Sequence, residues 1–358
     1  MKNNKRTLVK LIEKRHPLAY GSFINWIKLL IENGRIDKNI TTALYISLSS
    51  LLCIPLRILE NARFGKKIEN TEIKVPPIFI IGHWRSGTTH LHNLISHDKN
   101  LGYLSGFQTF VPDVLLGIEK AFSFVPQEEE YGIASMSPYS YYHGIYFPRN
   151  IKKYFDEFVL FDRVSEEIRT KWKETYIKIV KKVSFITRGK RVLLKNPTNV
   201  GRVKILLEAF PDAKFIHIYR NPYAVYASGR HFFRTKIFPR WSFQHISEEE
   251  MDENLLSFYK QIMERFFEEK KLIPKGNVVE IKYEELEVNP LGELKRVYNE
   301  LGLPGFEKAE ENFKAYIASQ SSYKKNKYKL SDETIKKVYQ HWEFTIEKWG
   351  YDVPQDLR

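Results

Sequence analysis

A single cysteine, Cys53, stands in 358 residues, so no disulfide can close within the chain, and a reducing compartment fits. Cysteines and histidines with zinc-site spacing are lacking, and no metal is expected. Internal repeats and low-complexity blocks are missing too, which excludes solenoids and disordered tracts. Residues 1–17 are basic and mixed, without the apolar run and small-residue cleavage site of a secretory signal, so a cytoplasmic location is expected. The best candidate for a membrane span, residues 40–56, is uncharged but holds several hydroxyls and Pro55, and it falls short of the ~20 apolar residues a crossing helix needs.

Negative charge is also in short supply: 43 Asp and Glu face 57 Lys and Arg, a net charge of +14. Such a balance calls for an anionic partner. Lysine pairs at 152–153, 181–182, 270–271 and 324–325 are scattered and belong to no nucleic-acid-binding motif, so no nucleic acid is expected. A small, highly charged ligand and an anionic membrane surface remain. Lys38, Arg57, Arg63, Lys66 and Lys67 flank the uncharged run and would suit an interfacial helix attached peripherally to a membrane. The run also suits a helix buried on the core, which is the preferred expectation.

What the chain does contain is an apolar share of 43% and a charged share of 28%, enough for one large globular domain with additions. Residues 1–70 show apolar residues at helical spacing, as in Phe23-Ile-Asn-Trp-Ile-Lys-Leu-Leu-Ile31, and read as an N-terminal helical region with possible membrane contact. Pro76 and Pro77 then open a second region, 71–358. Short apolar, β-branched runs at 78–81, 192–195, 215–219 and 278–283 read as strands, with helical patterns at 87–97, 199–210 and 222–233 between them. This alternation predicts an α/β fold: a P-loop-like three-layer arrangement of a central parallel sheet flanked by helices, plus the N-terminal helical arm. Ligands of such sheets bind at the carboxyl ends of the strands, where Gly82, Lys195 and Arg220 all fall.

The most informative segment is Ile78-Phe-Ile-Ile-Gly-His-Trp-Arg-Ser-Gly-Thr-Thr89. From Gly82 to Gly87-Thr88-Thr89 it has the spacing of a Walker A loop, except that Thr88 stands where the phosphate-gripping lysine belongs. Glycines let successive backbone N–H groups and a helix N-terminus face an anion. His83, Trp84, Arg85, Ser86, Gly87, Thr88 and Thr89 are thus candidate ligands of a 5′ phosphate that carries one further anionic group. A bare glycine turn is the bland alternative.

A second segment, Phe215-Ile-His-Ile-Tyr-Arg-Asn-Pro-Tyr-Ala-Val-Tyr-Ala-Ser228, places Arg220 at a strand end and Ser228 eight positions later on a helix. Together, and in this order, the two segments resemble the 5′-phosphosulfate loop and the 3′-phosphate segment of sulfotransferases that use 3′-phosphoadenosine 5′-phosphosulfate (PAPS). The resemblance spans roughly residues 76–330 and is nearer to the broad bacterial group than to the animal cytosolic type. It implies PAPS as sulfonate donor, adenosine 3′,5′-bisphosphate as product, no metal, and transfer to the hydroxyl of a small-molecule acceptor. A guanidinium can fork onto the 3′ phosphate while the serine hydroxyl orients it. A glycine-rich cofactor segment typical of animal relatives is not evident; Tyr323-Lys-Lys-Asn-Lys-Tyr-Lys329 is the nearest candidate, with Lys324 and Lys327 toward the 3′ phosphate or simply solvated.

Sulfuryl transfer needs cations around the bridging oxygen and a base for the hydroxyl proton. Arg85 is the first candidate cation, and Lys195 in Lys195-Asn-Pro-Thr-Asn199 is the second, by similarity to a lysine-bearing strand end of the family. The histidine that follows such a lysine in animal relatives is absent here. His92, one helical turn beyond Thr88, is one replacement; a glutamate of 128–130, Glu130 foremost, is another; His83, His143 and His231 remain further choices. Residues 106–161 crowd aromatics, among them Phe107, Phe110, Phe122, Phe124, Tyr131 and Tyr142, and read as an acceptor insertion favouring a sterol or phenol over a carbohydrate or lipid head group, although most of these rings also suit a core. The rivals are a P-loop small-molecule kinase or NTPase, and a non-enzymatic basic scaffold at a membrane surface.

Overall fold

The expected strands form, and they share one sheet. A computed structural model describes residues 16–110, 126–320 and 328–357. Its strands are β1 (Ile78–Ile81), β2 (Leu101–Gly102), β3 (Arg191–Lys195), β4 (Lys214–Tyr219) and β5 (Val278–Lys282), in the order β2-β3-β1-β4-β5. All four residues of β1 are buried, which is why it reads as an unbroken apolar run rather than an alternating one. β4 runs parallel to both neighbours, with Ile81 opposite His217 and Tyr219 opposite Lys282. The carboxyl ends of β1, β4 and β5 therefore share one edge.

Ten helices matter below: α1 (Phe23–Asn33), α2 (Ile40–Leu52), α3 (Ile54–Glu69), α4 (Thr88–Ile95), α5 (Glu129–Met136), α6 (Glu166–Ile186), α7 (Val203–Ala209), α8 (Pro222–Phe232), α9 (Glu248–Glu269) and α10 (Asp332–Trp349). The result is the α/β, P-loop-like class expected, with helices flanking a parallel sheet and a helical N-terminal region. The chain forms two compact units, one from the described parts of 1–76, 102–194 and 237–246, the other from those of 77–101, 195–236 and 247–358.

In the first unit, Ser22 caps α1 by accepting from the Asn25 N–H, and α1 buries Trp26, Leu29 and Asn33 on one face. The Trp26 indole donates to Ser47 on α2. Helix α2 corrects the expectation of a core-buried apolar helix: it buries Ala43, Ile46 and Ser50 and leaves its leucines outside. Small and hydroxyl-bearing residues make the inner face because Ser47, Ser49 and Ser50 return their hydroxyls to carbonyls of the preceding turn. Between α3 and α6 lies a buried ion pair, Lys182 Nζ to Glu60 Oε1 at 2.7 Å. Of the aromatic insertion, Tyr131, Tyr141, Tyr142, Tyr146 and Phe147 are core residues. Phe122 and Phe124 lie outside the described residues, as do the side chains of Phe107 and Phe110.

In the second unit, α9 and α10 pack through Tyr259 stacked on Trp342, ring centroids 3.8 Å apart, and the Trp342 indole donates to the Leu256 carbonyl. The Tyr259 ring meets His83 edge-on at 4.8 Å. The carboxyl-terminal helices thus brace the loop that follows β1.

Candidate active site

The loop after β1 turns on two glycines whose Cα hydrogens are all the space allows. A Cβ on Gly82 (φ 157°) would come within 2.3 Å of the Ile218 carbonyl oxygen, and one on Gly87 (φ 98°) within 2.3 Å of the Tyr283 ring. Arg85, not a glycine, also holds a positive φ, 73°. Left-handed residues at 85 and 87 on either side of Ser86 turn successive N–H groups to one side, the geometry of an anion nest. Gly87 supplies no side-chain cap to α4, so the first N–H groups of that helix are left for an outside acceptor. Thr88 is buried, whereas Thr89 is exposed.

The second segment meets this loop. Pro222 starts α8 and the Asn221 side chain accepts from the Tyr223 N–H, which fixes the turn after β4. Ser228 on α8 then accepts a hydrogen bond from Arg85 Nε at 2.9 Å. Arg220 Nη1 donates to the Arg85 carbonyl at 3.3 Å, and its guanidinium lies 4.4 Å from the centroid of Tyr283. The Arg85 guanidinium rests on Phe232, 4.7 Å from its ring centroid. Of the sequence-derived cofactor residues, the structure thus brings Arg85, Arg220 and Ser228 into direct contact, with Ser86, Gly87, Thr88 and Thr89 on the same loop. His83 and Trp84 are buried and pack on each other. Lys324 and Lys327 lie outside the described residues.

A third cation joins from β3. Lys195 is buried at the strand end and its Nζ donates to Thr89 Oγ1 at 3.3 Å. The turn beyond it is held by a relay in which Arg202 donates to Thr198 Oγ1 at 2.6 Å and the Thr198 hydroxyl donates to Asn196 Oδ1 at 2.6 Å. Arg202, fully buried, is a supporting residue that sequence reasoning missed; its spacing of four from Thr198 was the available signal. Phe232 and Tyr283 were missed as well, because ring-on-guanidinium contacts between distant segments leave no local pattern.

The base candidates differ in surroundings. His92 is buried on α4, and burial, then the positive charge of Lys195, hold it well below the ordinary histidine range. His83 is pushed down to about 3 by burial, opposed by its hydrogen bond to the Trp84 carbonyl. Both imidazoles are neutral at pH 7. His231, exposed on α8, packs against Tyr328. In the other unit, Glu130 is buried and accepts from the Ser140 hydroxyl at 2.7 Å and the Tyr141 N–H at 3.2 Å, and its neighbours Glu128 and Glu129 accept from the hydroxyls of Tyr142 and Tyr176. His143, pushed down to about 4 by burial, lies 2.9 Å from the Ser137 carbonyl.

The fold has solved counterparts. Sulfotransferase STF9 from Mycobacterium avium superposes with a TM-score of 0.68 at 15% identity, covering 95% of this chain and 98% of that one. Sulfotransferase STF1 from Mycobacterium tuberculosis gives 0.67 at 17% identity over 88% and 91%. In sequence, the omega-hydroxy-beta-dihydromenaquinone-9 sulfotransferase Stf3 of Mycobacterium tuberculosis and of Mycobacterium bovis is 33% identical, over 94% of this chain and 92% of the relative. Residues 76–308, which hold the β1 loop, Lys195 and the Arg220–Ser228 segment, match the model of the sulfotransferase family, and the chain belongs to that family.

Proposed function

We propose that the protein transfers a sulfonate group from PAPS to a hydroxyl of an apolar acceptor. The observation that carries the donor half is the hydrogen bond between Arg85 and Ser228, which joins the loop suited to a 5′ phosphosulfate to the segment suited to a 3′ phosphate. The residues fit that donor: glycines at 82 and 87 leave room for close backbone approach, the uncapped start of α4 offers N–H groups, and Arg85, Arg220 and Lys195 supply three cations without a lysine at position 88. When bound, PAPS supplies an activated sulfonate on a phosphate leaving group. The acceptor oxygen forms a bond to sulfur as the bond from sulfur to the phosphate oxygen breaks, and the electron pair departs with the phosphate. Arg85 and Lys195 offset the negative charge that grows there, and the hydroxyl proton passes to a base. His92 is the preferred base, beside Lys195; Glu130, the other candidate, is a buried acceptor for Ser140 and Tyr141 within the other unit.

For the acceptor, the choice between sterol and phenol gives way to a broader class: an alcohol carried on a long apolar body. Support comes from the relative at 33% identity, whose name specifies an omega-hydroxyl of a menaquinone. A cytoplasmic location belongs to the same reading, and the lone, buried Cys53 suits it.

Calorimetric titration with adenosine 3′,5′-bisphosphate tests the donor half. Binding that is lost in Arg220→Ala is expected; absence of binding at millimolar ligand, or magnesium-dependent ATP hydrolysis instead, would overturn it. Labelled PAPS offered with sterol, phenol, polyprenyl-alcohol and carbohydrate acceptors tests the other half.

A further inference from the structure

Leucine is the residue most often sent inward by an amphipathic helix, and α2 sends it outward. Ile40, Leu44, Leu48, Leu51 and Leu52 are 46–65% exposed, while Ala43, Ile46 and Ser50 are buried. Steps of four, four and three to four residues put the exposed set on one stripe. Helix α3 continues it with Leu56, Ile58 and Leu59, 41–65% exposed, after a bend of 42°. Of the fourteen large hydrophobics exposed among the described residues, eleven fall between Ile24 and Leu59, so this is a patch and not the usual scatter.

Charge selects the occupant. No carboxylate occurs from residue 40 to 59, and the first one, Glu60, is buried against Lys182. Beyond the leucines, α3 turns basic, with Arg63, Lys66 and Lys67 all exposed. An apolar face ending in cations, on a chain of net charge +14, matches a bilayer with anionic head groups: leucines below the head-group level, lysines at it. No single helix among the described residues is long and apolar enough to cross a membrane; α2 and α3 together have the length and composition for it, but the pair is bent by 42° and buries Ala43, Ile46, Ser50, Glu60 and Ile68, which fits a face lying on a membrane better than a span ringed by lipid. We infer that the outer face of α2 and α3 is a membrane-surface site that lies in the head-group region of an anionic bilayer. The inference rests on exposure and charge in this unit and stands apart from the donor chemistry.

Sedimentation of the full chain with extruded vesicles tests it. Wild type is expected to pellet with phosphatidylcholine vesicles containing phosphatidylglycerol. The triple variant Leu44→Ser/Leu48→Ser/Leu52→Ser should bind them at least about 10-fold more weakly, and Lys66→Gln/Lys67→Gln about 10-fold more weakly on anionic vesicles with little change on phosphatidylcholine alone. The substituted side chains are exposed, and unchanged circular dichroism and adenosine 3′,5′-bisphosphate binding would verify folding of each variant. Wild type remaining in the supernatant with anionic vesicles overturns the inference, as do variants that pellet like wild type. A wild-type dimer that ignores vesicles and dissociates in the leucine variant would assign the face to a second copy and equally overturn it. Loss of donor binding with vesicle binding intact would count against the PAPS reading alone.

Discussion

Arg220 lies over the ring of Tyr283, and that same ring fills the space in which a side chain on Gly87 would have to sit. One aromatic residue after β5 therefore sets both the shape of the loop that follows β1 and the position of the arginine that follows β4. Gly87→Ala is expected to abolish measurable adenosine 3′,5′-bisphosphate binding, because it meets Tyr283 at 2.3 Å and a positive φ at once. Tyr283→Leu should weaken binding through loss of the cation–ring contact, by about 0.5–2 kcal/mol, while Tyr283→Phe retains most of it. Titration calorimetry reads both.

Ser228 has a simpler role to test. Its hydroxyl is the acceptor for Arg85 Nε, so Ser228→Ala removes that hydrogen bond and a hydroxyl donor toward the proposed phosphate. The expected loss is about 0.5–1.5 kcal/mol in donor affinity, appearing in the KM for PAPS. Arg220→Lys should cost more than this, since a point charge replaces a planar fork.

For the chemical step, Lys195→Met is expected to lower kcat by about 10²–10³ while donor binding persists, as for removal of one group that stabilises developing charge. His92→Gln should lower kcat by about 10²–10⁴ if it takes the hydroxyl proton. Near-normal turnover in that variant eliminates His92 and transfers the test to Glu130→Gln. Single-turnover rates with bound donor distinguish chemistry from binding in each case.

Acid should destabilise the protein through its buried histidines. His16 and His83 are each held down to about 3, and His143 to about 4, with burial the largest cause in all three. These imidazoles stay neutral in the folded state while the unfolded chain binds protons near pH 6.5, so their contribution is present above that pH and falls away below it. At pH 5 each accounts for about 2 kcal/mol of lost stability. Urea unfolding between pH 7.5 and pH 5, followed for each compact unit, is expected to show this slope, and His83→Phe should flatten it in the unit that contains the loop.

Much of this was legible in the chain itself, for identifiable reasons. β1 came through with its ends correct because all its residues are buried and apolar, and α8 with its start correct because Pro222 marks it, the helix ending at Phe232, one residue short of the expected 233. The two-residue β2 had no periodicity to read. Arg85 and Ser228 were identified separately, but their hydrogen bond was not, since nothing local encodes a contact 143 positions apart. The outward leucines of α2 were misjudged because apolar runs announce burial in something without saying whether that is protein or lipid. Catalytic assignment stopped at His92 and Glu130 for the related reason that a base is defined by what it faces.

The span of that Arg85–Ser228 contact has a consequence for how the protein is made. During synthesis the phosphate loop emerges long before β4 and α8, so donor-binding capacity waits on the closure of a very long chain loop, an entropic cost met late. If the site takes adenosine 3′,5′-bisphosphate as proposed, ligand present at about 100 times its Kd would stabilise the state with this contact closed by about 2.7 kcal/mol. On the proposed reading the product nucleotide would favour the folded state in which this long-range contact is closed.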